Sequence, residues 1–120
     1  MAKKILLVDD DAELCQEVAS ILRDEGYEVD NTSHSLKGRE LICLKEYDTY
    51  LFDYKMTDLN GIELLRIAKE KNPSGKVFII SGRSFIGKLL KEEGVLNLVS
   101  GVITKPFDIE VLLQNIGSSF

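Results

Sequence analysis

The sequence has little of what disulfide frameworks and Cys/His metal centres require. Its 120 residues include two cysteines and one histidine. The absence of any paired Cys or His motif excludes a Cys/His metal site on spacing. Cys15 and Cys43 each stand alone among helix-forming residues, and we expect two buried thiols rather than a disulfide. His34 lies in a polar loop, where we expect a solvent-facing side chain without a catalytic role.

Long hydrophobic runs and an excess of basic residues are also missing. No apolar run approaches the ~18 residues of a membrane span, and the N-terminus has no signal-peptide pattern. We therefore expect a soluble, cytoplasmic protein without membrane contact. The net charge of −5 disfavours direct nucleic-acid binding, which normally requires a basic face. Disorder is disfavoured by a hydrophobic fraction of 44%, and residues 1–120 fit a single domain with one core.

Short apolar runs alternate with helical patterns along the chain. This alternation predicts βαβ units, and therefore an α/β protein with a parallel sheet. The run from Val77 to Ile80 is continuously apolar, as in a strand covered on both faces. The predicted strands are Lys4–Val8, 27–31, Thr49–Asp53, Lys76–Ser81 and Gly101–Thr104.

Five helices are predicted between and after these strands. The first has an apolar face and ends near Gly26. The next three cover 36–46, Gly61–Lys71 and 85–93. The inward residues are Leu14, Cys15, Val18, Ile21 and Leu22 in the first helix, Leu64, Leu65 and Ala68 in the third, and Ile109, Leu112, Leu113 and Ile116 in the fifth.

Polar side chains follow four of the five strands at the point where each strand ends. Asp9 and Asp10 follow the first strand, Asp53 ends the third, Ser81 ends the fourth and Lys105 follows the fifth. Because the carboxyl ends of parallel strands share one edge, these residues should converge there. Three carboxylates, a hydroxyl and an ammonium form a small site suited to a divalent metal and a phosphoryl group.

Two further pairs, Asn60 with Gly61 and Lys105 with Pro106, complete an ordered set of motifs. Their order and spacing resemble the receiver domain of two-component response regulators, the chemotaxis-regulator-like family. The resemblance covers residues 4–116. It implies a (βα)5 flavodoxin-like fold with a doubly wound, parallel, five-stranded sheet in the order 2-1-3-4-5. It also makes the Lys105–Pro106 bond a candidate cis peptide.

The resemblance implies that Asp53 is the phosphoacceptor, whose carboxylate attacks phosphorus. Ser81 would donate its hydroxyl to a phosphoryl oxygen. Lys105 would supply a compact cation, and it would pair with Asp53 when phosphate is absent.

The resemblance also implies a Mg²⁺ site, which Mn²⁺ could occupy in its place. Asp10 would bind the metal directly, together with Asp53 and the backbone carbonyl of Lys55, while Asp9 would act largely through water. Asp11 is expected to cap the first helix, since Asp is favoured there.

The resemblance implies two kinds of partner: a sensor histidine kinase or phosphotransfer protein, and an output protein or domain. It also allows a second copy of the chain in a homodimer. The chain is then a signalling domain rather than an enzyme, and phosphorylation switches the face made by helix 4, strand 5 and helix 5. No output domain is expected within these residues. The chain could act alone or as the receiver segment of a longer protein.

The sequence departs from the family pattern in three places. Val102 occupies the position of the usual strand 5 aromatic, and Thr57 that of the usual proline after Met56, which should free the backbone there. In the third place, residues 94–101 replace the usual Gly-Ala stretch before strand 5, and we expect their apolar residues to be partly buried under helix 4. Without the aromatic, coupling should run through residues 82–84 and helix 4, where Gly87 and Gly94 ease repositioning.

Two alternative functions remain open at this stage. One is a receiver-like interaction module that no longer switches, which Val102 favours. The other is a small phosphatase with an Asp nucleophile in a D-x-D pattern, which Asp9 and Asp11 satisfy. The phosphatase would be phosphorylated on Asp9 instead of Asp53.

Overall fold

The computed structural model describes residues 2–118. Five parallel strands form one sheet in the order β2-β1-β3-β4-β5. The predicted α/β class, (βα)5 architecture and strand order are therefore confirmed. The elements are β1 Lys4–Val8, α1 Ala12–Asp24, β2 Glu28–Thr32, α2 Ser35–Leu44, β3 Thr49–Asp53, α3 Gly61–Lys71, β4 Lys76–Ser81, α4 Ile86–Glu92, a 3-10 turn Leu96–Leu98, β5 Gly101–Thr104 and α5 Ile109–Ser118.

Three elements begin or end at different residues than predicted. The N–H of Tyr27 donates to Leu22 O, so Tyr27 belongs to the turn after α1 and β2 begins one residue later. Lys45 is extended, with φ −135° and ψ 156°, which ends α2 before the predicted residue 46. Phe85 has φ −92° and ψ 6°, outside the helical range, so α4 is shorter than predicted at its start.

The sheet is covered on both faces, which explains why its central strands are continuously apolar. Alternate strand residues point to opposite faces. Leu6, Tyr50 and Ile79 pack in one core with α2, α3 and α4. Leu7, Leu51 and Ile80 pack in a second core with α1 and α5.

Two predicted side-chain positions are wrong. Ile21 is 36% exposed, because the buried stripe of α1 runs through Cys15, Val18, Ala19 and Leu22 and leaves Ile21 at its margin. Cys43 is exposed, since it lies next to the inward-facing Ile42 on α2. Cys15 is buried as expected, and both thiols are free.

The irregular segment before β5 is partly buried. Val95 is buried, and Leu98 and Val99 are half-buried against the core beneath α4. Leu96 is exposed instead. Between residues 2 and 118, no helix combines the length and apolar character needed to cross a membrane.

Candidate functional site

The predicted polar residues meet at the carboxyl edge of the sheet. Asp9, Asp53 and Ser81 are only 2%, 7% and 3% exposed. An open pocket of about 470 Å³ lies above them. It is lined by Asp10, Asp11, Asp53, Lys55, Ser81, Gly82, Arg83 and Lys105.

Lys105 joins two of the carboxylates. Its Nζ lies 3.1 Å from Asp9 Oδ2 and 3.4 Å from Asp53 Oδ1. The expected pairing with Asp53 is therefore present, but the ammonium is shared and lies nearer to Asp9. The Lys105–Pro106 peptide bond is cis, as predicted. Burial alone would lower the pKa of Lys105, but the Asp53 and Asp9 carboxylates outweigh burial and raise that pKa.

Asp53 is a buried carboxylate with a second carboxylate, Asp9, nearby. Burial raises the pKa of Asp53 to about 6, and the neighbouring Asp9 carboxylate adds to the rise, while Lys105 opposes it. Bringing a further cation to this carboxylate would offset both unfavourable contributions.

The three acidic residues after β1, Asp9, Asp10 and Asp11, have different surroundings. Asp11 is the N-cap of α1, and its Oδ1 accepts the N–H of Leu14 at 3.1 Å, as predicted. Asp9 Oδ1 accepts the N–H of Asp11 at 3.0 Å, which fixes the buried carboxylate. Asp10 and Asp11 are both exposed and both line the pocket. Because Asp11 already caps α1, Asp10 is the exposed carboxylate without a capping role.

A divalent cation suits the donors at this edge. Within residues 2–118, no three Asp, Glu, His or Cys side chains are placed to hold a metal by themselves. Mg²⁺ nevertheless takes only one or two carboxylates and keeps several waters. Asp10 and Asp53, which both line the pocket, fit that requirement.

The Ser81 hydroxyl is held in place with its proton still available. Its Oγ accepts the N–H of Arg83 at 3.0 Å. A hydroxyl that accepts one hydrogen bond retains its own O–H as a donor. Ser81 can therefore donate to a group placed in the pocket.

Ser35, at the start of α2, holds the loop after Asp53, and the sequence reasoning missed it. The side chain is buried, donates to Thr57 O at 2.6 Å and accepts the N–H of Leu59 at 3.0 Å. The hydrogen bond from Ser35 to Thr57 O therefore restricts the backbone that was predicted to be free at Thr57. In the sequence, Ser35 has only the signal of an ordinary helix-start serine.

Known proteins share this sequence pattern and fold. The family model described as the response regulator receiver domain matches residues 5–117. The transcriptional regulatory protein ZraR of Klebsiella oxytoca is 34% identical over 111 residues, which cover 90% of this chain and 24% of that protein. The cell cycle transcriptional regulator CtrA of Caulobacter vibrioides is 28% identical over 113 residues, covering 94% of this chain and 48% of the relative.

A solved structure has the same fold. The receiver domain protein (CheY-like) from Methanospirillum hungatei JF-1 superposes with a TM-score of 0.89 at 30% identity. The match covers 98% of this chain and 93% of that one. This chain spans about half the length of CtrA and a quarter of ZraR.

Proposed function

We propose that this chain, which belongs to the response regulator receiver domain family of two-component signalling proteins, accepts a phosphoryl group on Asp53. The observation that carries the proposal is the buried Asp53 carboxylate beside the Lys105 ammonium, with Nζ 3.4 Å from Oδ1. The group would come from the phosphohistidine of a sensor kinase or phosphotransfer protein.

In this reaction an Asp53 carboxylate oxygen attacks phosphorus and forms a new O–P bond. The P–N bond to the donor histidine breaks, and its electron pair leaves with the imidazole nitrogen. Lys105 holds a positive charge beside the attacking carboxylate, and the Ser81 hydroxyl donates to a phosphoryl oxygen. Both groups act mainly by position and charge, because phosphoryl transfer requires little covalent chemistry from the protein.

Mg²⁺, or Mn²⁺ in its place, would neutralise charge on the transferring phosphoryl oxygens when bound. Asp10, Asp53 and the backbone carbonyl of Lys55 would hold it, and Asp9 would contribute through water. The buried Asp9 also keeps Lys105 in place, through the 3.1 Å contact between Nζ and Oδ2.

Acetyl phosphate tests this proposal without the partner kinase. With Mg²⁺ present, we expect one phosphoryl group per chain, detected by intact mass and located on Asp53 by peptide analysis. Chelating the metal should abolish the reaction. Asp53→Asn should abolish it too, with an unchanged far-UV spectrum.

The same measurement decides between the candidate chemistries. Stoichiometric phosphorylation of Asp9 would contradict the proposal and favour the phosphatase alternative. Persistent phosphorylation of the Asp53→Asn variant at another residue would also contradict it.

A further inference from the structure

Arg83 is a cation at the rim of the pocket that holds Asp53. It follows Ser81 by two residues in the loop before α4 and lines the same pocket as Asp53 and Lys105. Within residues 2–118, no carboxylate forms an ion pair with it. Its guanidinium carbon instead lies 5.5 Å from the centre of the Phe85 ring. That distance is typical of a cation–π contact.

We propose that Arg83 is a phosphoryl-binding residue that changes partners: it lies over Phe85 when Asp53 is free and contacts the phosphoryl oxygens when Asp53 is phosphorylated. This inference rests on the proposed phosphorylation of Asp53. A phosphoryl group matches the planar donor fork of a guanidinium. An exposed cation–π contact is the weaker of the two interactions.

The backbone keeps Arg83 within reach of the site. Its N–H donates to Ser81 Oγ at 3.0 Å, so the residue is fixed next to the hydroxyl proposed to bind the phosphoryl group. The side chain is half-buried, and it can exchange one partner for the other by rotation about its own bonds while the loop stays in place.

The exchange would signal phosphorylation to α4. Phe85 directly precedes α4 and is 48% exposed. Loss of the guanidinium changes the surroundings of its ring. This link requires no aromatic residue on β5, where Val102 is half-buried against the core. It therefore supplies a physical route for the coupling through residues 82–84 predicted from the sequence.

The exchange of partners by Arg83 can be tested with beryllofluoride, a phosphoryl mimic. The measurement is the affinity of the 120-residue chain for this mimic with Mg²⁺ present. Phe85→Leu removes the competing ring but keeps an apolar side chain, so it should bind the mimic about two- to fivefold more tightly. Arg83→Ala should bind it about tenfold more weakly. In the double variant, the effect of Phe85→Leu should vanish, because the cation that both partners share is gone.

Lys55→Ala provides the matched control, since it removes another cation that lines the same pocket. The tightening caused by Phe85→Leu should persist in the Lys55→Ala background. NMR adds a structural readout: ring-current shifts of the Arg83 side chain should disappear when the mimic binds.

Several results would overturn the inference. Equal affinity in Arg83→Ala and the wild type would exclude a phosphoryl contact. Tightening by Phe85→Leu that persists without Arg83 would exclude competition for the guanidinium, and unchanged Arg83 side-chain shifts would exclude the exchange. If the wild-type chain neither binds the mimic nor reacts with acetyl phosphate, the proposed function fails as well. If it does both and only the Arg83 effects are absent, the proposed function stands without this inference.

Discussion

Thr49 carries the one buried side-chain polar atom that lacks a hydrogen-bond partner within residues 2–118. It opens β3 and is completely buried. A buried hydroxyl without a partner costs about 1–3 kcal/mol. We predict that Thr49→Val, which keeps the branched shape, raises the free energy of unfolding by about 1 kcal/mol, as measured by urea denaturation.

Thr49→Ala is the control for that measurement. It removes the same hydroxyl but also a methyl group, so it leaves a cavity and should be less stable than Thr49→Val. A Val variant less stable than the wild type would contradict the prediction.

A second residue-scale prediction concerns Asp30 and Tyr47. The Tyr47 hydroxyl donates to Asp30 Oδ2 at 2.6 Å, and this bond, more than the Lys45 ammonium at 3.1 Å, lowers the pKa of Asp30. A carboxyl whose pKa is lower in the folded state adds stability above its unfolded pKa of about 4. That stability is lost as the pH falls through the folded value.

Tyr47→Phe should therefore destabilise the protein at pH 7 by about 1 kcal/mol, a modest value because the Asp30 side chain is 38% exposed. The difference from the wild type should shrink as the pH falls below about 4. Urea denaturation across this range measures it. A difference that stays constant down to pH 3 would mean that the effect of the lost hydroxyl does not depend on the charge of Asp30.

At the scale of elements, the start of α3 and the end of β3 meet without room for a side chain. A Cβ on Gly61 would lie 2.6 Å from the backbone oxygen of Asp53 and 3.0 Å from Tyr54 Cα. Asn60 and Glu63 fix the helix start through a reciprocal capping box, with bonds of 2.9 and 3.1 Å. Moving the start of α3 away from β3 would therefore break the hydrogen bonds of the capping box.

We predict that Gly61→Ala destabilises the protein by about 1–3 kcal/mol and slows phosphorylation of Asp53 by acetyl phosphate, because the acceptor backbone must shift. Gly87→Ala is the matched control. A Cβ on Gly87, inside the exposed part of α4, meets nothing within 4 Å. That variant should gain about 0.5–1 kcal/mol. Equal stability of the two variants in urea would contradict the steric argument.

At the scale of the whole molecule, Mg²⁺ binding should raise the free energy of unfolding of the entire domain. A ligand that binds only the folded state raises the free energy of unfolding, by about 1.4 kcal/mol at ten times its dissociation constant. We predict that Asp11→Asn keeps this Mg²⁺-dependent gain, since Asn remains a good helix cap. Asp10→Asn should lose most of it. Thermal unfolding with and without Mg²⁺ compares the two, and equal losses would mean that the proposed metal-binding residues are misplaced within the acidic run.

The sequence predicted the α/β class and the strand ends at which the candidate site residues lie, and its resemblance to receiver domains implied the strand order. Four of the five predicted strands end at or directly before a polar site residue, and parallel strands bring those ends to one edge. This is why Asp9, Asp53, Ser81 and Lys105 could be grouped although up to 96 positions separate them. Strand β1, for example, was bounded correctly because a continuous apolar run stops abruptly at an acidic pair. Helix α3 has the predicted bounds, Gly61–Lys71, and the structure adds the Asn60 cap at its start.

The tertiary structure alone decided which of these groups touch. It places Lys105 nearer to Asp9 than to Asp53, ties Thr57 to Ser35, and leaves Cys43 exposed. Periodicity gives the face on which a residue lies and the strand end at which it sits, but it carries no distances. Contacts between side chains far apart in the sequence depend on how helices and loops pack over the sheet, and only the folded chain fixes that packing.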